Sequence, residues 1–210
     1  LTDAEGAALQ PWDMLSDATV TARWKHYAES GEALELSTAG DVYALARILE
    51  TKPKTDADVS DALKQDYRHF GFEEGYARAY EKLQTANYRL TKNIKLTNCD
   101  ANTDQYNGFH GIPNFKGVFD GGSHEIELAI DFSKYPDVSA PNYIGGAFAC
   151  VQDAEIRNLT LSGSAAGTFV TDASLADTGL LIGGTIASTN RNTVLENITS
   201  NVAVNITLDI

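Results

Sequence analysis

The chain of 210 residues contains 29 acidic and 16 basic residues, so its formal net charge at pH 7 is −13, and 43% of its residues are hydrophobic. The acidic excess, with no basic patch to interrupt it, argues against nucleic acid and against an anionic membrane surface as partners. The length suits one elongated domain, or one with a small appendage, and is sufficient to bury a core. No apolar run approaches the length of a membrane span.

The N-terminal segment, residues 1–33, carries little pattern and contains no recognisable signal peptide. The chain begins in a polar segment and stops at Ile210 inside an apparent strand. These two features predict that the sequence is a piece of a larger protein. The next segment, residues 34–87, predicts a brief LEL strand and then helices. Thr38 and Asp41 have the spacing of a capping box, which starts a helix that runs to about Glu50.

Two more helices are predicted at residues 58–70 and 72–86, with a break near Gly71, inside what looks like an insertion at residues 54–86. Each has an apolar face at helical spacing. The two faces consist of Val59, Leu63, Tyr67 and Phe70, and of Phe72, Tyr76, Tyr80 and Leu83. We interpret this helical region as a cap that covers the open end of the strands that follow. The density of tyrosines leaves sugar stacking as an alternative.

Residues 88–210 have the pattern of short strands separated by turns. Apolar residues at even positions predict a first long strand over residues 88–96. The stretch FKGVFDGGSHEIELAI, residues 115–130, then predicts a short strand, a corner at Asp120-Gly-Gly and a second strand of alternating character. One such unit cannot bury its apolar face alone, so further units are expected.

The further units are found by self-comparison. IGGAFACVQDAEIRNLTLSG, residues 144–163, matches IGGTIASTNRNTVLENITSN, residues 182–201, with an offset that grows by one position across a polar corner. In the opening unit, Phe119 is expected to face Phe148, and Ile126 to face Ile156. We predict a mainly β fold, a right-handed parallel β-helix, rather than an immunoglobulin-like sandwich. Its expected core comprises Ile126, Leu128, Phe148, Ile156, Leu159, Ile186, Leu195 and Ile198.

The motif at residues 115–126, FKGVFDGGSHEI, resembles the F-x-G-x-F-D-G-x-x-H-x-I signature of bacterial surface β-helices of the GLUG-repeat, adhesin-like type. The segments YIGGAF and IRNLTL are similar to later parts of the same repeat. The resemblance spans residues 88–206, and similar stretches occur in non-catalytic regions of large surface metallopeptidases. It implies a location outside the cell or on the bacterial surface.

Candidate site residues lie at two places. Asp100 and Asp104 supply oxygen ligands at alternate positions, as calcium loops do, but the glycine and the closing glutamate of such a loop are missing. The alternative there is a polar surface loop. Asp120 and His124 flank the Gly-Gly corner, where they form either an acid–base pair or, as we favour, part of the turn itself. Asn158 and Asn197 occupy equivalent repeat positions, which indicates a turn or stacking role.

The two cysteines, Cys99 and Cys150, are spaced too widely for a redox or zinc motif, and they are either buried small side chains or a disulfide between windings. The sequence has no metalloprotease, nucleophile-elbow or nucleotide-binding motif, so no cofactor, metal or catalytic residue is predicted.

Two functions remain open. The first is a non-catalytic, monomeric module that serves as a spacer or binds a host or matrix glycan or protein. The second is a polysaccharide lyase or hydrolase. The second is less favoured because acidic residues do not recur at equivalent positions and basic residues are scarce after residue 114.

Overall fold

The computed structural model of the protein describes residues 32–96, 109, 111–131, 142–170, 179–182, 186–190 and 192–209. Within these residues the chain forms three α-helices and eleven strands. The helices are α1 (Ala39–Glu50), α2 (Asp61–His69) and α3 (Tyr76–Thr85), with a 3₁₀ turn at Asp56–Asp58. The strands are β1 (Leu34–Leu36), β2 (Asn87–Leu90), β3 (Ile94–Lys95), β4 (Val118–Asp131), β5 (Asn142–Gly145), β6 (Phe148–Gln152), β7 (Glu155–Val170), β8 (Gly179–Ile182), β9 (Ile186–Asn190), β10 (Val194–Ser200) and β11 (Ala203–Asp209).

The described strands form three parallel sheets. The largest has the order β1-β2-β4-β7-β10, with β3 paired to β4 and β11 paired to β7. The other two sheets are the pairs β5-β8 and β6-β9. Isolated bridges from Ile112 to Phe148 and from Phe115 to Val151 extend the third sheet. The fold is therefore mainly β, with parallel sheets, and in the described residues no hairpin forms around the Gly-Gly corner.

The helical region lies between β1 and β2 and follows the sequence prediction closely. Thr38 and Asp41 form the predicted capping box, and α1 ends at Glu50. Helix α3 begins later than expected, at Tyr76. The carboxylate of Asp56 accepts hydrogen bonds from the backbone N–H groups of Gly75 and Tyr76 (2.7 and 2.8 Å) and fixes the start of the helix there. The apolar faces predicted for residues 58–70 and 72–86 pack into the core.

One hydrophobic cluster joins the helices to the sheets. It runs from Leu34 in β1 through Tyr67 and Leu83 of the helices to Leu161 in β7. The rings of Phe115, Phe119 and Phe148 contact one another within this cluster, with centroids 5.1 to 6.4 Å apart. Helices and strands thus share one cluster. The division of the chain that the sequence suggests at residues 33 and 87 stays a prediction.

The register of the later units agrees with the self-comparison. Phe148 pairs with Ile186 and Ile156 pairs with Leu195, so the offset grows by one position across the corner, as predicted. The first strands of these two units are paired differently from the prediction, because Ile144 pairs with Leu181 rather than with Ile182. A further extra residue therefore lies between β8 and β9.

The predicted register of the opening unit is wrong. Phe119 pairs with Ile156, and Ile126 pairs with Leu161, so both partners lie further along the chain than expected. The two offsets also differ from each other, because a bulge inside β4 shifts the pairing between Asp120 and His124. The corner predicted between two strands is thus an irregularity within one strand. Phe119 and Phe148 still touch, because their rings meet edge-on across the core.

The predicted strand at residues 88–96 is two strands, because β2 pairs with β4 before this bulge and β3 pairs with it afterwards. Of the expected core, Ile126, Leu128, Phe148, Ile156 and Leu159 are buried, and Ile198 packs against the cluster. The prediction for Leu195 is wrong: its side chain is 50% exposed, because no described strand covers β10. The side chain of Ile186 lies outside the described part of the molecule.

Candidate functional site

A row of charged residues crosses the largest sheet, one residue from each strand of the main path. The register places Glu35 beside Arg89, Arg89 beside Asp120, Asp120 beside Arg157, and Arg157 beside Glu196. The charges alternate in sign at every step. Opposite charges in neighbouring strands stabilise their pairing. The sequence comparison missed this row, because it aligned Arg157 with Glu127 rather than with Asp120.

Asp120 lies at the centre of the row and holds two strands together. One carboxylate oxygen accepts hydrogen bonds from the backbone N–H of Gly122 (2.9 Å) and from the amide Nδ2 of Asn158 (3.1 Å). The other accepts one from Nε of Arg157 (3.2 Å). Arg157 also donates to Glu155 at 2.7 Å. Asp120 accepts a bond from the nearby backbone N–H of Gly122, as expected for a structural role, but these residues form a bulge within β4 and not a turn between two strands.

Asn158 and Asn197 continue these contacts into the next strand. Nδ2 of Asn197 donates to Oδ1 of Asn158 at 3.1 Å, just as Asn158 donates to Asp120. Both asparagines have a φ of 52°, in the left-handed region that asparagine tolerates better than most residues. The expected stacking role is confirmed. We call the set Asp120, Asn158 and Asn197 the amide ladder.

The surroundings of Asp120 keep its carboxylate ionised. Burial raises its pKa, but the hydrogen bonds from Gly122, Asn158 and Arg157, together with the charge of Arg157, outweigh burial and place the pKa below its ordinary value. In turn, the bond to Asp120 raises the pKa of Arg157. A general acid needs a carboxyl group that retains its proton near neutral pH. Asp120 does not meet that requirement.

His124 lies beyond the bulge and has a different partner. Its Nδ1 is 3.3 Å from Oδ1 of Asn93, which also accepts the backbone N–H of Glu125 at 3.1 Å. Within the described residues, His124 and Asp120 are not hydrogen-bonded to each other. The bulge separates them, with positive φ values at Gly122 and Ser123. The structure therefore does not bring them together as an acid–base pair.

The remaining sequence candidates give less information. Asp100, Asp104 and Cys99 lie outside the described residues. Cys150 is a free thiol that is partly buried. Among the described residues, no three His, Cys, Asp or Glu side chains are close enough to hold a metal ion. The tyrosines considered for sugar stacking, Tyr67, Tyr76 and Tyr80, are buried in the core and their rings are not available as platforms.

A second polar cluster, which the sequence did not reveal, joins α1 to α2. Asp41 Oδ1 is 2.8 Å from Nε2 of His69, while Oδ2 accepts the backbone N–H groups of Ser37 and Thr38 (2.7 and 2.8 Å). Burial raises the pKa of Asp41, but the bonds from His69 and these two amides outweigh burial and lower the pKa. The capping box identified Asp41, but its distant partner His69 carried no sequence signal.

A bidentate ion pair strengthens the same helix contact. The guanidinium of Arg47 donates to both carboxylate oxygens of Asp66, at 2.7 and 2.5 Å, and Asp66 is buried. Paired charges with this bidentate geometry fix the orientation of two helices relative to each other. Like the amide ladder, this cluster uses its polar groups for internal contacts.

Comparison with protein-family models, with curated proteins and with solved structures finds no match to this chain. None of the helices in the described residues is long and apolar enough to cross a membrane.

Proposed function

We propose that the chain is a non-catalytic, extracellular module of a larger bacterial surface or secreted protein, built as a right-handed parallel β-helix and serving as a spacer or adhesive scaffold. The observation that carries the proposal is the amide ladder. It uses Asp120 of the most specific sequence motif, together with Asn158 and Asn197 of the later units, to join neighbouring strands. A motif used in this way maintains a fold rather than performing a reaction.

The order of the strands supports a helical winding. From β4 to β10 the chain visits the three sheets in turn and then repeats the same cycle, with a nearly constant spacing between paired positions outside the bulge. A polypeptide that winds around one axis produces such a cycle. Crossovers between parallel strands are right-handed in nearly all proteins, which supports the proposed handedness.

The charge distribution supports a scaffold over an enzyme. Polysaccharide lyases and hydrolases need a carboxyl group or a base that is free to exchange protons with substrate. In the described part of the sheet, Asp120 and Arg157 are bonded to each other, and Lys95 is paired with Glu127 at 2.5 Å. The extracellular location rests on the resemblance to GLUG-repeat proteins, since cysteine content and charge fit other compartments as well.

The test for catalysis is a screen of the purified chain against pectic, alginate-like and host-glycan polysaccharides, with and without calcium. We expect no released product, whether or not the chain binds one of these glycans. Product release that disappears in Asp120→Ala, while circular dichroism shows an intact fold, would replace this proposal with the carbohydrate-active alternative. Asn205→Ala is the matched control, because it alters an exposed polar residue away from the amide ladder.

The spacer and adhesive roles are separated by a binding assay on matrix proteins and a glycan array. Saturable binding to one ligand supports adhesion, and its absence supports a spacer. The location is tested by antibody labelling of intact and permeabilised cells of the producing organism. Labelling only after permeabilisation would contradict an extracellular module.

A further inference from the structure

The bulge inside β4 brings together polar side chains that the amide ladder does not use. Gly122 and Ser123 of this bulge have φ values of 57° and 63°, in the left-handed region. Bulges re-aim side chains and are frequent next to active sites, and a non-glycine residue in this region stores backbone strain of the kind that clusters at functional sites. The bulge lies in the middle of the main sheet, because β4 is flanked by β2 and β7.

Arg89 and His124 lie on either side of the backbone of Gly122. A Cβ atom at Gly122 would be 3.8 Å from Nε of Arg89 and 3.3 Å from Cδ2 of His124, so the guanidinium and the imidazole both lie close to one point. The same Cβ would be 2.8 Å from the carbonyl oxygen of Leu90, which excludes a side chain at this position. Glycine therefore leaves the two side chains next to each other, with no third side chain between them.

The guanidinium of Arg89 has N–H groups to offer a ligand. Arg89 is exposed, and none of the described residues forms a hydrogen bond or an ion pair with it. Its neighbour in the charged row, Asp120, already accepts hydrogen bonds from Gly122, Asn158 and Arg157. A guanidinium presents its donors as a planar fork, which binds a carboxylate through two parallel hydrogen bonds. Arg89 is thus suited to a carboxylate that comes from outside the chain.

His124 and Ser123 add groups that suit hydroxyls. Oδ1 of Asn93 accepts the backbone N–H of Glu125 at 3.1 Å, and it lies 3.3 Å from Nδ1 of His124. A carbonyl oxygen only accepts, so the proton of the neutral ring is on Nδ1, and Nε2 has a lone pair that can accept a hydrogen bond from a hydroxyl. The hydroxyl of Ser123, which is exposed next to this ring, can donate or accept.

This combination favours one class of ligand. A neutral sugar is held largely by apolar and aromatic contacts, but the large exposed hydrophobic side chains of the described residues belong to β10 and β11, and none of them is aromatic. A polyanion is disfavoured, because Glu35 and Asp120 flank Arg89 in the charged row and the net charge of the protein is −13. A sugar acid carries one carboxylate with hydroxyls beside it, whereas an acidic protein side chain carries the carboxylate alone.

We propose that the bulge of β4 is a binding site for a single sugar acid, such as the terminal unit of a glycan. Arg89 binds the carboxylate, and His124 and Ser123 bind the neighbouring hydroxyls. The inference rests on the proposed function and deepens it, because it gives the adhesive form of the module a ligand class. No bond is made or broken in the ligand.

The experiment titrates three small molecules into the isotope-labelled full chain and follows the backbone resonances of residues 121–124. The molecules are D-galacturonate, its neutral counterpart D-galactose, and acetate, which has a carboxylate and no hydroxyl. We expect saturable shifts with galacturonate, and about tenfold weaker binding of the other two, since each lacks one half of the contacts. Equal binding of acetate would overturn the sugar-acid class, and equal binding of galactose would overturn the role of the carboxylate.

Variants assign the contacts to residues. Arg89→Gln should weaken galacturonate binding about tenfold or more, because it removes the charged fork. The matched control is Arg78→Gln, which alters an exposed arginine on α3 and should bind as the parent chain does. Ser123→Gly removes the hydroxyl while glycine retains the φ of 63° without strain, so a weaker affinity in this variant reports the contact and not the backbone. Equal affinities in Arg89→Gln and Arg78→Gln, with both variants melting as the parent chain does, would overturn the site.

Failure of this site and failure of the proposed function give different results. Galacturonate that produces no saturable shift at the bulge would overturn the site and leave the spacer form of the module intact. Release of product from a polysaccharide would overturn the non-catalytic role, and the effect of Arg89→Gln on galacturonate binding would still decide the site. Stronger binding of a glutamate-rich peptide than of galacturonate would identify a protein ligand and overturn the sugar-acid class.

Discussion

The two ends of the largest sheet have similar sequences and different surroundings. At the first end, Leu34 and Leu36 of β1 flank a glutamate and are fully buried. At the other end, Leu195 of β10 precedes a glutamate and is half exposed. The two ends differ in the elements that pack on them. Helices α1 to α3 share one hydrophobic cluster with β1, whereas no described element packs over β10. An alternating pattern thus sets the direction of a side chain, while its burial depends on the next layer.

This difference has an energetic consequence. Burying a leucine or isoleucine side chain stabilises a fold by about 1.5 to 3 kcal/mol, roughly in proportion to the apolar area removed from water. The first end of the sheet receives this stabilisation in full. The β10 end receives part of it from β7 alone. A change at one end of the sheet can therefore be compared with a matched change at the other end.

The largest effect is expected from removing two of the helices that pack at the β1 end of the sheet. Replacement of residues 54–86 by a short Gly–Ser linker deletes α2 and α3 and exposes apolar residues of the shared cluster, including Leu49 of α1. We expect loss of cooperative unfolding or concentration-dependent association, measured by thermal melting and sedimentation. The reference is Leu195→Ser at the other end, which should remain monomeric and cooperative. An unchanged melting temperature in the deletion variant would show that the helices are not a cap.

The next effect compares two paired residues directly. Ile156→Ala removes a fully buried side chain and should lower the free energy of unfolding by about 2 to 5 kcal/mol. Leu195→Ala, at the paired position in β10, should cost about 1 kcal/mol or less, since much of that side chain is already in water. Urea unfolding of both variants gives the two values. Equal losses would mean that β10 is covered in solution.

The sequence predicted much of the fold because its signals are local or periodic. The capping box at Thr38, the break at Gly71 and the offset between Ile156 and Leu195 each depend on a short stretch or on a direct repeat. The register of the opening unit failed because Phe119 and Ile126 lie in one continuous strand, β4, and both pair with β7, whereas the self-comparison assigned them to two strands on either side of a corner. Gly121 to Ser123 form a bulge inside that strand. A bulge adds residues without changing the alternating pattern on either side, so self-comparison cannot place it.

The candidate site was predicted less completely. Asn158 and Asn197 were matched correctly as equivalent positions, but the contact of Asp120 with Asn158 depends on the pairing of β4 with β7, which the self-comparison did not find. The pair of Asp41 with His69 joins residues on two separate helices, far apart in the chain. Nothing in a single sequence states which face of one helix meets which face of another. Such contacts follow from the three-dimensional packing alone.

A smaller effect is expected along the amide ladder. Asn158 bonds both to Asp120 and to Asn197, whereas Asn197, at the exposed edge, donates to Asn158. Asn158→Ala should therefore lower the free energy of unfolding by about 1 to 3 kcal/mol, and Asn197→Ala by about 1 kcal/mol. Asn→Gly at each site separates backbone strain from lost hydrogen bonds, because glycine accepts a φ of 52° without strain. If both sites cost the same, the ladder continues past Asn197 in solution.

The smallest effect is a pH dependence of the free energy of unfolding that comes from Asp41, in the helical region at the β1 end of the sheet (the covered end). The pKa of Asp41 is lower in the folded protein than its ordinary value. A carboxyl group of this kind stabilises the fold above its unfolded pKa of about 4, and the contribution is lost as the pH falls through the lower folded value. The free energy of unfolding should therefore decline as the pH falls below about 4 and through the lower folded pKa.

Asp41→Asn should make that decline shallower, because the amide does not titrate and the variant no longer loses this contribution in acid. The matched control is Asp61→Asn in α2. Bonding to Lys64 also lowers the pKa of Asp61, but Asp61 is exposed, so water screens its charge and the slope should change far less. Urea unfolding at a series of pH values measures both slopes. Parallel curves for the parent chain and Asp41→Asn would show that the contact of Asp41 with His69 and the two backbone amides does not stabilise the covered end.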